Sequence, residues 1–345
     1  HPLVREHFGR VLETESLEVF RAGHQRLYEH YAAAAPYQPD TLEQMEPLYR
    51  AIGHGCRAGR WQEVYDKVYR RRVRRDNENY GVKKLGAFGA ELTTLASFFG
   101  RTWDSPTEEL RPGNRAWLLN TAAFHLRALG RLSESVEPTT AGLDLAIKQG
   151  DWKNAAIYAG NLSEVTLTLG EVSHSVNHAR ESVELGQRSG EAFWRAVNCT
   201  TFADSLHAAG ELTEAATVFR QAEALQAKAQ PHYPNLYSLP GYRHCDLLFT
   251  RAAPLDGSGL SRAATEAAGE EARGLCEEVL GRAKLTLSWS TAHGSLLDIA
   301  LDHLSLGRAG RGLALATGGS LGEAAVELDR AVQGLRESGY EYYVP

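Results

Sequence analysis

Glycine returns every 20 residues through the middle of this 345-residue chain, at Gly130, Gly150, Gly170, Gly190 and Gly210. The segments between are rich in Ala, Leu, Glu, Gln and Arg, all good helix formers, and lack the alternation of a strand. A glycine just past a helix suits a left-handed C-cap. Each unit therefore reads as one helix plus one turn, and two units as a hairpin of about 40 residues. Alternate turns share a form: Leu129-Gly130-Arg131, Leu169-Gly170-Glu171 and Ala209-Gly210-Glu211. After Gly210 stand Ala215, Phe219 and Ala222, at offsets of 5, 9 and 12; Ala324, Leu328 and Ala331 stand at the same offsets after Gly319. These positions share one helical face, with small residues where a neighbouring helix approaches.

The pattern extends in both directions. Ala58-Gly59-Arg60-Trp61 reads as an earlier turn, with Val64 and Val68 on the buried face. Ser175, Ala179 and Ser182 take the same positions after Gly170, and a further turn is expected near Ala252. Pro231 and Pro234 end the helix before them. Residues 254–269, rich in Ala, Gly and Ser, read as a mobile insertion or a frayed short helix. The fold expected is all-α, an α-solenoid superhelix of about six to eight hairpins, with apolar surface buried between neighbours. Core candidates are Leu126, Leu162, Phe202, Leu206, Phe219, Leu315 and Leu328.

Composition removes other classes. With 43% hydrophobic and 23% charged residues the chain is neither disordered in bulk nor a coiled-coil rod. No run of about 18 apolar residues is present, so no membrane helix is expected. Cys56, Cys199, Cys245 and Cys276 are far apart, with no C-x-x-C. That pattern argues against a disulfide scaffold and a structural zinc site, and fits a reducing, cytoplasmic setting. A net charge of −6 argues against nucleic acid as the main partner. The chain opens at His1 with no signal-peptide pattern, and both ends read as cut, so a piece of a longer protein is expected.

The small-large-small pattern around a tight glycine turn resembles the tetratricopeptide repeat (TPR), with longer helices than the usual unit of about 34 residues. A second resemblance lies at the N-terminus. His1-Pro2-Leu3-Val4-Arg5-Glu6-His7-Phe8 is similar to the helix that closes the winged-helix domain in signal-transduction ATPases with numerous domains, the STAND class. Arg26–Tyr31 and Leu48–Cys56 look like the first hairpins of the repeat sensor in bacterial members. The resemblance implies a winged-helix tail over 1–15 and a TPR-like array over 16–345. It also implies a role: the array senses a protein, peptide or small-molecule signal and holds the upstream ATPase module of the same chain inactive. No G-x-x-x-x-G-K-[ST] occurs within the 345 residues. The family's groove positions carry over to Trp117, Asn120, Phe124 and Arg127, then Glu164, then Thr200, Asp204 and His207, then Tyr242 and Asp246. The rival reading is that Trp117 and Phe124 cap a hydrophobic core. The acidic members suggest a ligand with basic groups.

Other constellations have simpler accounts. Gly307-Arg308-Ala309-Gly310-Arg311-Gly312 lacks the Lys-Ser/Thr of a phosphate loop. Gly318-Gly319-Ser320-Leu321-Gly322 matches G-x-S-x-G, but no strand precedes it, and a plain turn is favoured. His174 and His178 are one turn apart without a third metal ligand, which favours an exposed helix face. Asp298 and Asp302 form the best acid pair, followed by His303; they are expected to face water or to pair with arginine. Lys67, Arg70, Arg71, Arg72, Arg74 and Arg75 form a basic run, for which a solvated or salt-bridging face is favoured over phosphate binding. The chain is therefore expected to be a non-enzymatic sensor with no cofactor and no metal. A standalone scaffold for protein partners is the alternative, and nucleic-acid binding through the 67–75 run a weaker one.

Overall fold

The computed structural model describes residues 2–252, 262–293 and 296–338; side chains of 2–6, 262–267 and 293 are outside the description. Apart from an isolated antiparallel bridge between Phe99 and Pro106, the described residues contain no strand. The chain forms two compact units, His1–Asp151 and Trp152–Pro345.

The N-terminal unit begins with α1 (Pro2–Glu15), α2 (Leu17–Ala34) and α3 (Leu42–Arg57). The short α4 (Trp61–Val64) runs directly into a π-helix over Tyr65–Val73. Then come α5 (Tyr80–Lys83), α6 (Phe88–Leu95) with a 3₁₀ turn (Ala96–Phe98), α7 (Pro112–Ala128) and α8 (Leu132–Gln149). Its core gathers Met45, Leu48 and Ile52 from α3, Tyr65, Val68 and Tyr69 from the π-helix, and Leu95, Phe98 and Leu118.

The C-terminal unit holds α9 (Trp152–Thr168), α10 (Val172–Ser189), α11 (Ala192–Ala208), α12 (Leu212–Ala229), α13 (Ser238–Ala252), α14 (Arg262–His293), α15 (Leu296–Thr317) and α16 (Gly322–Glu337). Consecutive helices pack on one another, and α9, α11, α13 and α15 also touch in series. Residues 262–269 open the long α14, while 254–261, the rest of the expected insertion, and the turn after Ala252 lie outside the described residues. The proline-bearing stretch after α12 is irregular up to Ser238, as its sequence demands. It is pinned by Arg282, whose guanidinium forks onto Glu223 at 2.6 and 2.9 Å, while Glu223 also accepts from the Leu236 amide at 3.2 Å.

The glycine turns are built as the spacing demands. Gly59, Gly130, Gly150, Gly170, Gly190 and Gly210 all have φ between +68° and +82°. After Gly130, Gly150, Gly170 and Gly210 the next amide bonds back to a carbonyl five residues earlier, as Glu211 to Leu206 at 2.9 Å, which closes the helix end. In the last hairpin the left-handed residue is Gly318, not Gly319: the Gly319 amide makes the closing bond, to Ala314, at 2.9 Å. That turn is one residue longer than the others, because α16 starts only at Gly322.

The small-residue face holds in three consecutive hairpins. Ser135, Thr139 and Gly142, Ser175, Ala179 and Ser182, and Ala215, Phe219 and Ala222 are all buried. Where serine stands in for alanine its hydroxyl is paired: Ser163, Ser175 and Ser205 form a triangle with Oγ–Oγ distances of 2.8–3.1 Å. Of the core candidates, Leu126, Leu162, Phe202, Leu206 and Phe219 are buried. Leu328 is partly buried against Gly307. Leu315 is a correction: it is 65% exposed, because α15 turns its neighbour Ala314 inward instead.

Candidate functional site

Four alternate helices of the C-terminal unit (α9, α11, α13 and α15) carry one connected set of charges. Arg243 on α13 reaches back to two helices: its Nη2 lies 3.1 Å from Glu164 Oε1 on α9, and its Nε 3.0 Å from Asp204 Oδ2 on α11. One turn further along α13, Asp246 Oδ1 receives Arg308 Nη1 of α15 at 2.6 Å. Asp246 Oδ2 lies 3.9 Å from His207 Nδ1, and His207 Nε2 bonds Thr250 Oγ1 at 2.8 Å. Arg308 also lies 4.4 Å over the Phe249 ring and interacts with the Tyr242 phenol. Three carboxylates thus face two guanidinium groups along a ladder that is neither buried nor open; the Arg243 side chain is 14% exposed. Burial holds the Asp204 carboxyl above its usual range even with Arg243 beside it, and Glu164 and Asp246 push the same way. Burial raises the Tyr242 phenol likewise.

Glu164, Asp204, His207, Tyr242 and Asp246, all expected from the sequence, meet in this ladder. Thr200 does not: it is 1% exposed and gives its hydroxyl to the Val197 carbonyl at 2.6 Å, so it is packing, not lining. Arg243 and Arg308, which connect the ladder, were not singled out. Arg308 stands inside the Gly307–Gly312 run, whose glycines serve close packing. A Cβ at Gly307 would lie 2.6 Å from Leu328 of α16, and one at Gly312 would lie 2.8 Å from Cys276 Sγ of α14.

The four remaining expected residues belong to α7 of the N-terminal unit. Trp117 packs at the edge of the core, 5.8 Å from Tyr65 and 5.9 Å from Tyr69, which matches the rival core-capping account. Phe124 is 49% exposed and touches Phe88 at 6.0 Å. Asn120 is exposed, and Arg127 half-buried.

Of the acid pair of α15, Asp302 is a correction: it is buried among hydroxyls rather than facing water. Asp298 accepts from Ser238 Oγ. Asp302, 8% exposed, accepts from Thr286 Oγ1 at 2.6 Å and Ser290 Oγ at 2.7 Å. Burial pushes its pKa up to about 6, against the pull of the two hydroxyls. His174 faces Glu171, the residue that caps α10, at 3.2 Å, and His178 faces Glu181 of α10 at 3.9 Å. Among the described residues no cluster of three or more His, Cys, Asp or Glu is placed to hold a metal ion.

The basic run is largely spent on the chain itself. Arg72 donates to the carbonyls of Ala32, Ala35, Pro36 and Tyr37 at 2.8–3.1 Å, locking the loop after α2. Arg75 bonds Pro39 O and Asp40, and Lys67 pairs with Glu63. The N-terminal unit also buries an acid that no motif announced. Glu91, 1% exposed, accepts from Tyr69 Oη at 3.3 Å and lies 3.6 Å from His125 Nε2.

No protein-family model matches the chain, and no curated protein matches it either.

Proposed function

We propose that this chain is a non-enzymatic, TPR-like solenoid that receives a protein, peptide or small-molecule signal on the inner ladder of its C-terminal unit. In this reading it regulates a STAND-class nucleotide-hydrolysing module upstream of it in a longer bacterial protein. The observation that carries the reading is the ladder itself. Half-buried ion pairs add little net stability, since desolvation offsets attraction. Their accumulation on the successive first helices of stacked hairpins, the inner side of such solenoids, favours recognition over folding as their use. The ladder holds one more carboxylate than guanidinium groups, so a partner with basic side chains would compete with Arg243 and Arg308 for Glu164, Asp204 and Asp246. No described helix is long and apolar enough to cross a membrane, and the four cysteines are unpaired and buried, which suits a reducing cytoplasm.

The test is native mass spectrometry on the chain purified gently from its host's lysate. A bound molecule that is lost from the Asp204→Asn and Asp246→Asn variants supports the proposal. A bound molecule retained by both variants places recognition elsewhere. If no nucleotide-binding module lies upstream in the parent gene, the standalone scaffold replaces the sensor.

A further inference from the structure

The N-terminal unit contains an open cavity of about 510 Å³ between the π-helix and the first turns of α7. Tyr65, Arg70 and Arg74 line one side, and Asn114 and Trp117 the other. The π-helix is what brings the first three together. At about 100° per residue an α-helix would set Tyr65 and Arg70 some 140° apart. The i→i+5 pattern, seen in the Arg74 amide bonding Tyr69 O at 2.9 Å, aligns residues five apart.

Two donors in this cavity are shielded from solvent yet bond nothing in the protein: Asn114 Nδ2 and Arg70 Nε. Arg70 Nε lies 3.2 Å from Asp76 Oδ1, but the N–H does not point at it, so the contact is an ion pair without a hydrogen bond. A shielded N–H without an acceptor is costly, so two in one cavity call for an acceptor that enters it. The field there suits an anion, because two guanidinium groups line the cavity against one exposed carboxylate, Asp76. One wall is aromatic. Arg74 lies 4.3 Å over the Trp117 ring, and Tyr65 meets Trp117 edge-on at 5.8 Å. Burial pushes the Tyr65 phenol up to about 12, so it stays a neutral donor and adds no competing charge.

We infer that this cavity binds a small organic phosphate, with Arg70 and Asn114 taking the phosphoryl oxygens and the aromatic wall of Trp117 and Tyr65 bordering its organic part. Its volume is that of an ordinary small-molecule site. The site is independent of the ladder and of the partner proposed for it. It also differs from a nucleic-acid surface, since Arg72 and Arg75 are occupied with backbone carbonyls and Asp40.

The experiment is calorimetric titration of the full chain with phenyl phosphate, inorganic phosphate and phenol. We expect phenyl phosphate to bind more tightly than inorganic phosphate and phenol not to bind. Arg70→Gln and Asn114→Leu are expected each to weaken phenyl phosphate at least tenfold. Arg71→Gln, an exposed neighbour outside the cavity, is expected to leave it unchanged. Thermal melts of Arg70→Gln and Asn114→Leu are compared with wild type, and whichever variant melts normally decides the result. Absence of binding by both phosphates at millimolar concentration overturns the site. So does an equal loss in Arg71→Gln and Arg70→Gln, which would mean a diffuse field. Equal affinity for the two phosphates overturns the aromatic half of the assignment.

Discussion

Arg243 bridges two carboxylates on two other helices, so its removal takes a guanidinium from each in a half-buried setting. Arg243→Met is expected to cost about 1–3 kcal/mol, less than a fully buried pair because Glu164 is partly solvated. Adding Asp204→Asn is expected to restore part of the loss, as measured by urea denaturation of the single and double variants. An unchanged midpoint in Arg243→Met would remove the ladder's energetic basis. Asp302 offers a pH signature. Its folded pKa of about 6 stands above the unfolded value, so the native state keeps a proton that the unfolded chain releases. The stability this gives is complete below about pH 4 and is lost as pH rises through 6, a change of up to about 3 kcal/mol. His244, which burial and Arg282 hold down to about 4, has the opposite slope in the same window. The difference between Asp302→Asn and wild type cancels that contribution. We expect this difference to move in the variant's favour between pH 4 and 7, and a flat difference would contradict the buried, ionisable Asp302.

The turns test the repeat register one element at a time. Gly318 has φ +71°, whereas Gly319 makes the closing bond without a left-handed backbone. Gly318→Ala is therefore expected to cost about 1 kcal/mol and Gly319→Ala less, read from thermal melts. Ala215→Leu is expected to cost about 1–3 kcal/mol, since Ala215 is fully buried where α11 and α12 meet. Much of this was legible in sequence, because a left-handed C-cap selects glycine and a close helix approach selects small residues. The one-residue slip at Gly318 was hidden by two adjacent glycines, either of which can take positive φ. The π-helix left no trace, since one extra residue per turn changes no composition. For the candidate site, the spacing of Glu164, Asp204, His207 and Asp246 from their turns was readable. Their arginine partners were not, because Arg243 and Arg308 pair across helices 39 to 79 residues away or nearer only in space. Thr200 failed for a related reason: its offset matched the lining positions, but its hydroxyl bonds its own helix.

Two compact units make the whole molecule, and each has its own core clusters. Calorimetry is expected to resolve two transitions, with Arg243→Met lowering only the one that belongs to residues 152–345. A single transition moved as a whole would show that the units unfold together. The central claim is that the first helices of the C-terminal unit receive the partner. Site-specific photo-crosslinking tests it most directly. A benzophenone amino acid replaces Thr250, exposed beside His207 on the ladder, or Thr217, exposed on α12, and each protein is irradiated in host lysate. The account predicts a discrete adduct from position 250 that disappears with Asp204→Asn, and none from position 217. An adduct from position 217 alone, or equal adducts from both, would contradict it.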